Sequence, residues 1–233
     1  MKKQKKLFIT GTDTDVGKTL ITTILIDQLQ KKKHTVTALK PIAAGCELVD
    51  GKLVNMDGLI LQQTMNQKLD YQQVNPIALK LPIAPHIAAE EEGIALSVKA
   101  IQNKCDFQQY QTDYLLVEGA GGWLVPLNKK ETFADFAEVE CFDVILVIAM
   151  KLGCINHALL TIHNIRARGL TIVGWIANST SPAMPYLKEN IQTINQAINA
   201  PLLGEIPLID LDIPESDNFI QTASGYVNIA ALL

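Results

Sequence analysis

Residues 11–19 read GTDTDVGKT, and this stretch decides the fold class. The apolar residues 7–9 precede it as a short strand, and residues 20–29 follow it with apolar side chains at helical spacing. A glycine loop between a strand and a helix presents backbone N–H groups to an anion, and Gly-Lys-Thr at its end is typical of phosphate binding. The usual pattern, G-x-x-x-x-G-K-S/T, has four residues between its glycines, whereas five separate Gly11 from Gly17.

Two side chains at the end of this loop carry the expected chemistry. Lys18 would reach the β- and γ-phosphates of a nucleotide, and the Thr19 hydroxyl would bind Mg²⁺. Such a loop alone fits an ATPase, a kinase, a GTPase or a ligase. Guanine-specific enzymes usually carry an N-K-x-D motif, but the nearest stretch, Asn178-Ser179-Thr180, has neither lysine nor aspartate. The sequence therefore favours adenine, and the lack of G-x-G-x-x-G argues against a dinucleotide.

Strand-like and helix-like segments alternate along most of the chain. The predicted strands are residues 7–9, 35–39, 114–117, 144–149, 169–177 and 201–206, and the predicted helices are residues 20–29, 155–168 and 186–198. This alternation predicts an α/β fold with a mainly parallel sheet and helices on both faces, a three-layer sandwich like that of P-loop NTPases. Residues 43–113 interrupt the alternation and are expected to be mostly helical, within a single domain that spans residues 1–233.

Polar residues follow several of the predicted strands, and in a parallel sheet those strand ends meet at one edge. Glu118 ends the third strand, where a carboxylate could join Thr19 in binding Mg²⁺. Asp57 is a second candidate ligand, although the pattern alone does not select it from other aspartates. Lys40 ends the strand after the first helix, where its charge could stabilise phosphoryl transfer.

The composition limits the class of protein. The chain has 233 residues, a net charge of −4 and 48% hydrophobic residues, which is typical of a soluble globular protein. Its acidic balance argues against binding to nucleic acid through general basic charge. No apolar run approaches the ~18 residues of a membrane span, and four cysteines without a C-x-x-C spacing suit a reducing compartment. We therefore expect a cytoplasmic protein that binds neither nucleic acid nor membrane.

Six motifs follow one another along nearly the whole chain. They are TGTDTDVGKT at residues 10–19, KPIA at 40–43, VEGAGG at 117–122, KLGCINH at 151–157, GWIAN at 174–178 and PLLGEIP at 201–207. With these motifs the chain resembles the dethiobiotin synthetase family. Five residues between the two loop glycines is the form found in that family, so the unusual spacing supports the resemblance.

The resemblance implies a reaction and its partners. In this family 7,8-diaminopelargonate forms a carbamate with CO₂ (bicarbonate in solution), and ATP phosphorylates the carbamate to a mixed anhydride. The second amine then closes the cyclic urea, which gives dethiobiotin, ADP and phosphate with Mg²⁺ as the cofactor. The family is a homodimer in which the partner subunit holds part of the substrate, so the resemblance implies a substrate site at the subunit interface.

The resemblance also implies roles for particular residues. The implied catalytic residues are Lys40, Lys18 and Thr14, and the implied Mg²⁺ ligands are Thr19, Asp57 and Glu118. The implied ATP contacts are Asp15, Val16, Gly17, Lys18, Thr19, Leu20, Asp57, Glu118, Gly119, Ala120, Gly121, Asn178, Ser179, Pro207, Leu208, Ile209 and Glu215. The implied substrate contacts are Ala44, Lys151, Gly153 and Asn156. A helix that begins at residues 153–156 would offer backbone N–H groups to the substrate carboxylate.

Two positions depart from the family pattern. Ala44 stands where a serine is expected to contact the substrate, and Asp15 stands where glutamate is common. The missing hydroxyl removes one hydrogen bond, worth about 0.5–1.5 kcal/mol. We expect this loss to loosen the diamine site without abolishing turnover.

Three alternative functions are open at this point. A glutamine-independent amide ligase or a cobyrinate-type synthase of the same fold would carry a different substrate segment between residues 43 and 113. A switch ATPase that positions septa or plasmids would have a signature lysine early in the loop, and no lysine lies in residues 10–17. A catalytically inactive binding module is disfavoured because both candidate lysines and Glu118 are present.

Overall fold

The computed structural model describes residues 4–180, 184–209 and 217–233, and the statements below refer to these residues. The strands are β1 Lys5–Gly11, β2 Val36–Leu39, β3 Ile42–Ala43, β4 Glu47–Val49, β5 Lys52–Val54, β6 Ile77–Ala78, β7 Tyr114–Glu118, β8 Asp143–Ala149, β9 Ile172–Asn178 and β10 Leu202–Ile206. The α-helices are α1 Lys18–Lys31, α2 Met56–Thr64, α3 Tyr71–Val74, α4 Pro85–Glu91, α5 Val98–Lys104, α6 Phe133–Val139, α7 Cys154–Ala167, α8 Leu187–Ile198 and α9 Asp217–Ser224. Short 3₁₀ helices cover Phe107–Gln109 and Ala230–Leu232.

Six strands form one sheet in the order β10-β9-β8-β1-β7-β2, and every neighbouring pair is parallel. β1 lies between β7 and β8, with Ile9 opposite Glu118 on one side and Gly11 opposite Val147 on the other. Because all six strands run the same way, their carboxyl ends meet at one edge of the sheet. The loops that follow β1, β2 and β7 therefore start beside one another.

Both faces of this sheet are buried, because successive side chains of a strand point to opposite faces. Phe8 belongs to one hydrophobic cluster with residues of α6, α7 and α8. Leu7 and Ile9 belong to a second cluster with residues of α1 and α2. The predicted α/β fold with a mainly parallel sheet and helices on both faces is confirmed, and all six predicted strands belong to the main sheet.

The segment of residues 43–113 inserts smaller elements after β2. It contains the short helices α2 to α5 and the hairpin β4–β5, and β6 within it pairs in parallel with β3, which begins one residue earlier. Helices cover less than half of this segment, so the expectation that it is mostly helical was wrong. Asp50 and Gly51 both have positive φ at the hairpin turn, as the tightest hairpin connections require. These short strands did not emerge from the sequence pattern, because strands of two or three residues are too short to show a period.

None of the helices in the described ranges is both long and apolar enough to cross a bilayer. Cys46, Cys105, Cys141 and Cys154 are all free thiols.

Candidate active site

The phosphate loop connects β1 to α1 and is braced from β9. Gly17 caps the amino end of α1 with φ of 91°, a conformation that favours glycine. A Cβ atom on Gly17 would lie 2.3 Å from Nδ2 of Asn178, which itself donates a hydrogen bond to the Val16 carbonyl at 2.8 Å. Asn178 therefore holds the loop at a point where only glycine fits.

Lys18 lies under this loop with little solvent contact. The residue is only 7% exposed, and its Nζ donates a hydrogen bond to the carbonyl of Asp13 at 3.1 Å. Burial lowers the pKa of Lys18 to about 8, while the negative charge of Glu118 opposes this shift. A buried ammonium bonded to a backbone carbonyl is well suited to accept an anionic ligand.

Lys40 lies at the end of β2 and contacts two carboxylates. Its Nζ is 2.5 Å from Oδ2 of Asp57 and 2.6 Å from Oε1 of Glu118. Burial alone would lower the pKa of Lys40, but the charges of Glu118 and Asp57 outweigh it and raise that pKa above its ordinary value. Burial would likewise raise the pKa of Asp57, but Lys40 holds it below its usual range. Lys40 is therefore protonated at neutral pH in this site.

The same cluster has a donor set suited to Mg²⁺. The Thr19 hydroxyl donates to Oε1 of Glu118 at 2.8 Å, which brings the end of the phosphate loop to the end of β7. Glu118 is 0% exposed, and its Oε2 is buried without a hydrogen-bond partner among the described residues. An unpaired buried carboxylate oxygen is costly, and a hard cation that takes oxygen ligands would satisfy it.

A cavity of about 310 Å³ opens over this cluster. Its lining brings together ten of the predicted residues, namely Thr14, Asp15, Gly17, Lys18, Thr19, Leu20, Lys40, Asp57, Glu118 and Gly121. Phe219 of α9 is the eleventh lining residue and was missed by the sequence analysis. No local motif marks it, because it reaches the cavity from the far end of the chain. A larger cavity of about 700 Å³ lies between α4 and residues 126–130, away from the phosphate loop.

The other predicted ATP contacts that the structure describes are not among the cavity residues. Gly119 and Ala120 continue from Glu118, and the N–H of Gly119 bonds to the carbonyl of Ile9 at 2.9 Å. The N–H of Ser179 bonds to the Ile206 carbonyl at 2.9 Å, so the ends of β9 and β10 are joined just before residues 207–209. Glu215 lies outside the described residues.

The predicted substrate residues lie at the same edge of the sheet but are not among the cavity residues. Ala44 is half-buried at the end of β3, and its carbonyl accepts a hydrogen bond from Asn55 at 3.3 Å. Gly153, with φ of 93°, caps the amino end of α7, and Asn156 is exposed on its first turn. Lys151 is an exposed residue that forms an ion pair with Asp13 of the phosphate loop at 2.9 Å, a contact the sequence did not indicate.

Curated relatives match the chain over nearly its whole length. The family described as AAA domain matches residues 5–216. The ATP-dependent dethiobiotin synthetase of Cellvibrio japonicus is 45% identical over 230 residues, covering 99% of this chain and 98% of the relative. The enzyme of Alteromonas mediterranea is 46% identical, and the match covers 87% of this chain and 92% of the relative. The enzyme of Escherichia coli strain K12 is 41% identical, and the match covers 98% of this chain and 99% of the relative.

Solved structures with this fold include proteins of other classes. The septum site-determining protein MinD of Pyrococcus horikoshii, complexed with Mg-ADP, has a TM-score of 0.53 at 16% identity. The match covers 88% of this chain and 82% of the MinD chain. A ParA family ATPase of Chlorobium tepidum has a TM-score of 0.53 at 12% identity, with coverages of 95% and 89%. Likeness at such identities shows the fold alone, whereas the curated relatives are similar in sequence from end to end. The chain belongs to the ATP-dependent dethiobiotin synthetase family.

Proposed function

We propose that this chain catalyses the ATP-dependent closure of 7,8-diaminopelargonate and CO₂ to dethiobiotin, with release of ADP and phosphate. The observation that carries the proposal is the buried cluster of Lys40, Asp57 and Glu118 beside the phosphate loop, in a chain 45% identical to a dethiobiotin synthetase. Because phosphate is the leaving group in ring closure, no protein nucleophile is needed. The protein has to orient the reactants and stabilise negative charge.

The nucleotide binds with its phosphates against the phosphate loop in this proposal. Backbone N–H groups at the amino end of α1 face the phosphates, and Lys18 supplies a buried cation whose partner in the structure is a backbone carbonyl. Asn178, Ser179 and residues 207–209 contact the adenine, together with Glu215. The link between Ser179 and Ile206 supports this, because it brings the two groups of adenine contacts together.

Mg²⁺ is part of the proposal, held by Thr19, Asp57 and Glu118. These residues would hold the ion, which would supply positive charge to neutralise the negative charge that develops during transfer. Two carboxylates and a hydroxyl are the oxygen ligands that Mg²⁺ prefers, and the unpaired buried oxygen of Glu118 supports the assignment.

Lys40 and Thr14 act on the reacting carbamate. Lys40 is 5% exposed and protonated at neutral pH, so it can stabilise the anionic carbamate and the transferring phosphoryl group without first gaining a proton. The Thr14 hydroxyl donates a hydrogen bond to the carbamate. Its position at the cavity, where it would lie 3.7 Å from a Cβ on Gly121, supports this role.

The substrate tail is held across a homodimer interface, by Lys151, Gly153 and Asn156 of one subunit and the region of Ala44 in the other. Leu152 is 93% exposed at the amino end of α7, and Leu160 is also exposed on this helix, which supports a partner surface there. Sedimentation equilibrium should give twice the mass of one 25.5 kDa chain, and a monomer would remove the shared site. A cytoplasmic location belongs to the same proposal, supported by the four free thiols.

The test is an assay of ADP release with each reactant omitted in turn. Release should require both 7,8-diaminopelargonate and bicarbonate, because the phosphoryl acceptor is the carbamate formed from the two. A Lys18→Ala preparation, made in parallel, should release almost no ADP, which assigns the signal to this site. Equal ATP turnover without the diamine would contradict the proposed function.

A further inference from the structure

A continuous chain of hydrogen bonds joins the backbone of Lys40 to the backbone of Asp57. Nδ2 of Asn75 donates to the Lys40 carbonyl at 2.7 Å. The Tyr71 hydroxyl donates to Oδ1 of Asn75 at 3.0 Å and accepts from the N–H of Asn55 at 2.7 Å. Oδ1 of Asn55 accepts from the N–H of Asp57 at 3.1 Å, as the cap of α2. Four successive bonds thus connect two residues that the proposed reaction needs at a fixed separation.

This chain closes into a ring through the side chains at its two ends. Nζ of Lys40 and Oδ2 of Asp57 are 2.5 Å apart, so the backbone links and the side-chain ion pair constrain each other. The Tyr71 hydroxyl can occupy the middle of this chain because it donates one hydrogen bond, to Asn75, and accepts another, from the N–H of Asn55. Asn75 is only 2% exposed, so water cannot easily replace its partners.

The residue after Asp57 makes room for the tyrosine. A Cβ atom on Gly58 would lie 3.0 Å from the Tyr71 hydroxyl oxygen and 3.1 Å from a carbon of its ring. The tyrosine therefore lies against the first turn of α2, next to the candidate metal ligand. A tyrosine hydroxyl is protonated at neutral pH, and burial raises the pKa of Tyr71 further, so the hydroxyl can donate its hydrogen bond.

We propose that Tyr71 and Asn75 are positioning residues for the reaction, which hold Lys40 and Asp57 at the separation that catalysis requires. The inference rests on the proposed function, because it assigns the two residues to that same site. Asp57 is at the start of a nine-residue helix and its side chain is 37% exposed, so packing alone fixes it less firmly than the fully buried Glu118. The hydroxyl of Tyr71 supplies the missing constraint across to the strand that carries Lys40.

The experiment compares Tyr71→Phe with Tyr114→Phe. The Tyr71 variant keeps the ring and removes one hydroxyl, which breaks two of the four links. We expect kcat to fall about 5- to 150-fold with KM for ATP nearly unchanged, as the loss of two ordinary hydrogen bonds would give. The magnesium concentration for half-maximal rate should rise several-fold, because Asp57 is no longer held in place.

Tyr114 is the matched control. It is a buried tyrosine whose hydroxyl donates to the Leu232 carbonyl at 2.9 Å, at the amino end of β7 and therefore at the opposite edge of the sheet. Its phenylalanine variant should lose stability to a similar degree but keep kcat and the magnesium dependence. Wild-type kcat in Tyr71→Phe, or an equal fall in both variants at a temperature where both are folded, would overturn the inference.

A second measurement separates failure of this inference from failure of the proposed function. Mn²⁺ binding in the presence of a non-hydrolysable ATP analogue, followed by electron paramagnetic resonance, needs no diamine and no turnover. Affinity should fall several-fold in Tyr71→Phe and stay unchanged in Tyr114→Phe, whatever reaction the wild type catalyses. If wild-type turnover lacks diamine dependence, the proposed function fails, while equal Mn²⁺ affinity in all three proteins overturns the role of Tyr71.

Discussion

Lys18 and Lys40 lie at the same edge of one sheet and are almost equally buried, yet their surroundings are opposite. Lys18 donates to a backbone carbonyl, and burial lowers its pKa to about 8. Lys40 lies between two carboxylates, and their charges raise its pKa above its ordinary value. Burial alone therefore does not decide how a lysine behaves at this site, since the partners decide it.

The difference assigns distinct tasks to the two lysines. Lys18 carries a charge that the protein itself leaves weakly compensated, so an anionic ligand provides the favourable partner. Lys40 has its counter-ions within the fold, so it stabilises the protein before any ligand binds. Removing the two side chains should consequently change stability in opposite directions.

The largest effect is expected for Lys40→Met. The variant leaves the fully buried Glu118 and the neighbouring Asp57 without their cation, and such a loss costs about 3–5 kcal/mol. Urea unfolding in the presence of EDTA measures the free energy of unfolding. A matched Lys40→Arg variant keeps the charge and should recover part of the loss. Unchanged stability of Lys40→Met would show that the carboxylates are solvated and not held by Lys40.

A smaller effect of opposite sign is expected for Lys18→Met. Because the pKa of Lys18 falls from 10.5 to about 8 on folding, the unfolded chain binds more protons between those values. The contribution of Lys18 to the free energy of unfolding of the wild type is therefore lowest below pH 8 and rises toward pH 10.5. The variant should be more stable than the wild type by about 1–3 kcal/mol at pH 7, because each tenfold loss of proton affinity on folding costs about 1.36 kcal/mol.

The pH dependence is the informative measurement for this variant. Urea unfolding in EDTA at several values between pH 7 and pH 10 should show the gap between variant and wild type closing above pH 8. A gap that stays constant with pH would mean that the variant acts through packing and not through the charge of Lys18.

The smallest effect is expected for the exposed pair of Asp13 and Lys151. The side chains are 45% and 44% exposed, and exposed ion pairs contribute about 0.2–1 kcal/mol. A double-mutant cycle with Asp13→Asn and Lys151→Met should give a coupling energy in this range that shrinks as salt is added. A coupling as large as that of the buried cluster would contradict the distinction between the two environments.

The main sheet was predictable from the sequence because its strands are largely apolar. Residues 144–149 form a nearly continuous apolar run, as expected for a strand buried on both faces, and β8 covers Asp143–Ala149. The phosphate loop was predictable because the chemistry of anion binding depends on neighbouring residues in one turn. Lys18 and Thr19 consequently line the cavity together with the neighbouring residues of the same loop.

The partners of Lys40 could not be predicted in the same way. Asp57 lies 17 residues from Lys40 and Glu118 lies 78 residues away, and neither spacing has a period or a motif. Tyr71 and Asn75 showed no signal at all, because their role depends on hydrogen bonds to each other and to the backbone of residues distant in sequence. Phe219 likewise reaches the cavity only because α9 packs on α1.

The sequence by itself determined the fold class, the phosphate loop and the residue types at the strand ends, because these depend on local patterns of hydrophobicity and backbone conformation. Tertiary structure alone decided which charges meet. It joined Lys40 to Asp57 and Glu118 and left Lys18 with a backbone carbonyl. Electrostatic energies depend on distance and burial in space, so two lysines at the same edge of the sheet acquire opposite pKa shifts that no spacing along the chain reveals.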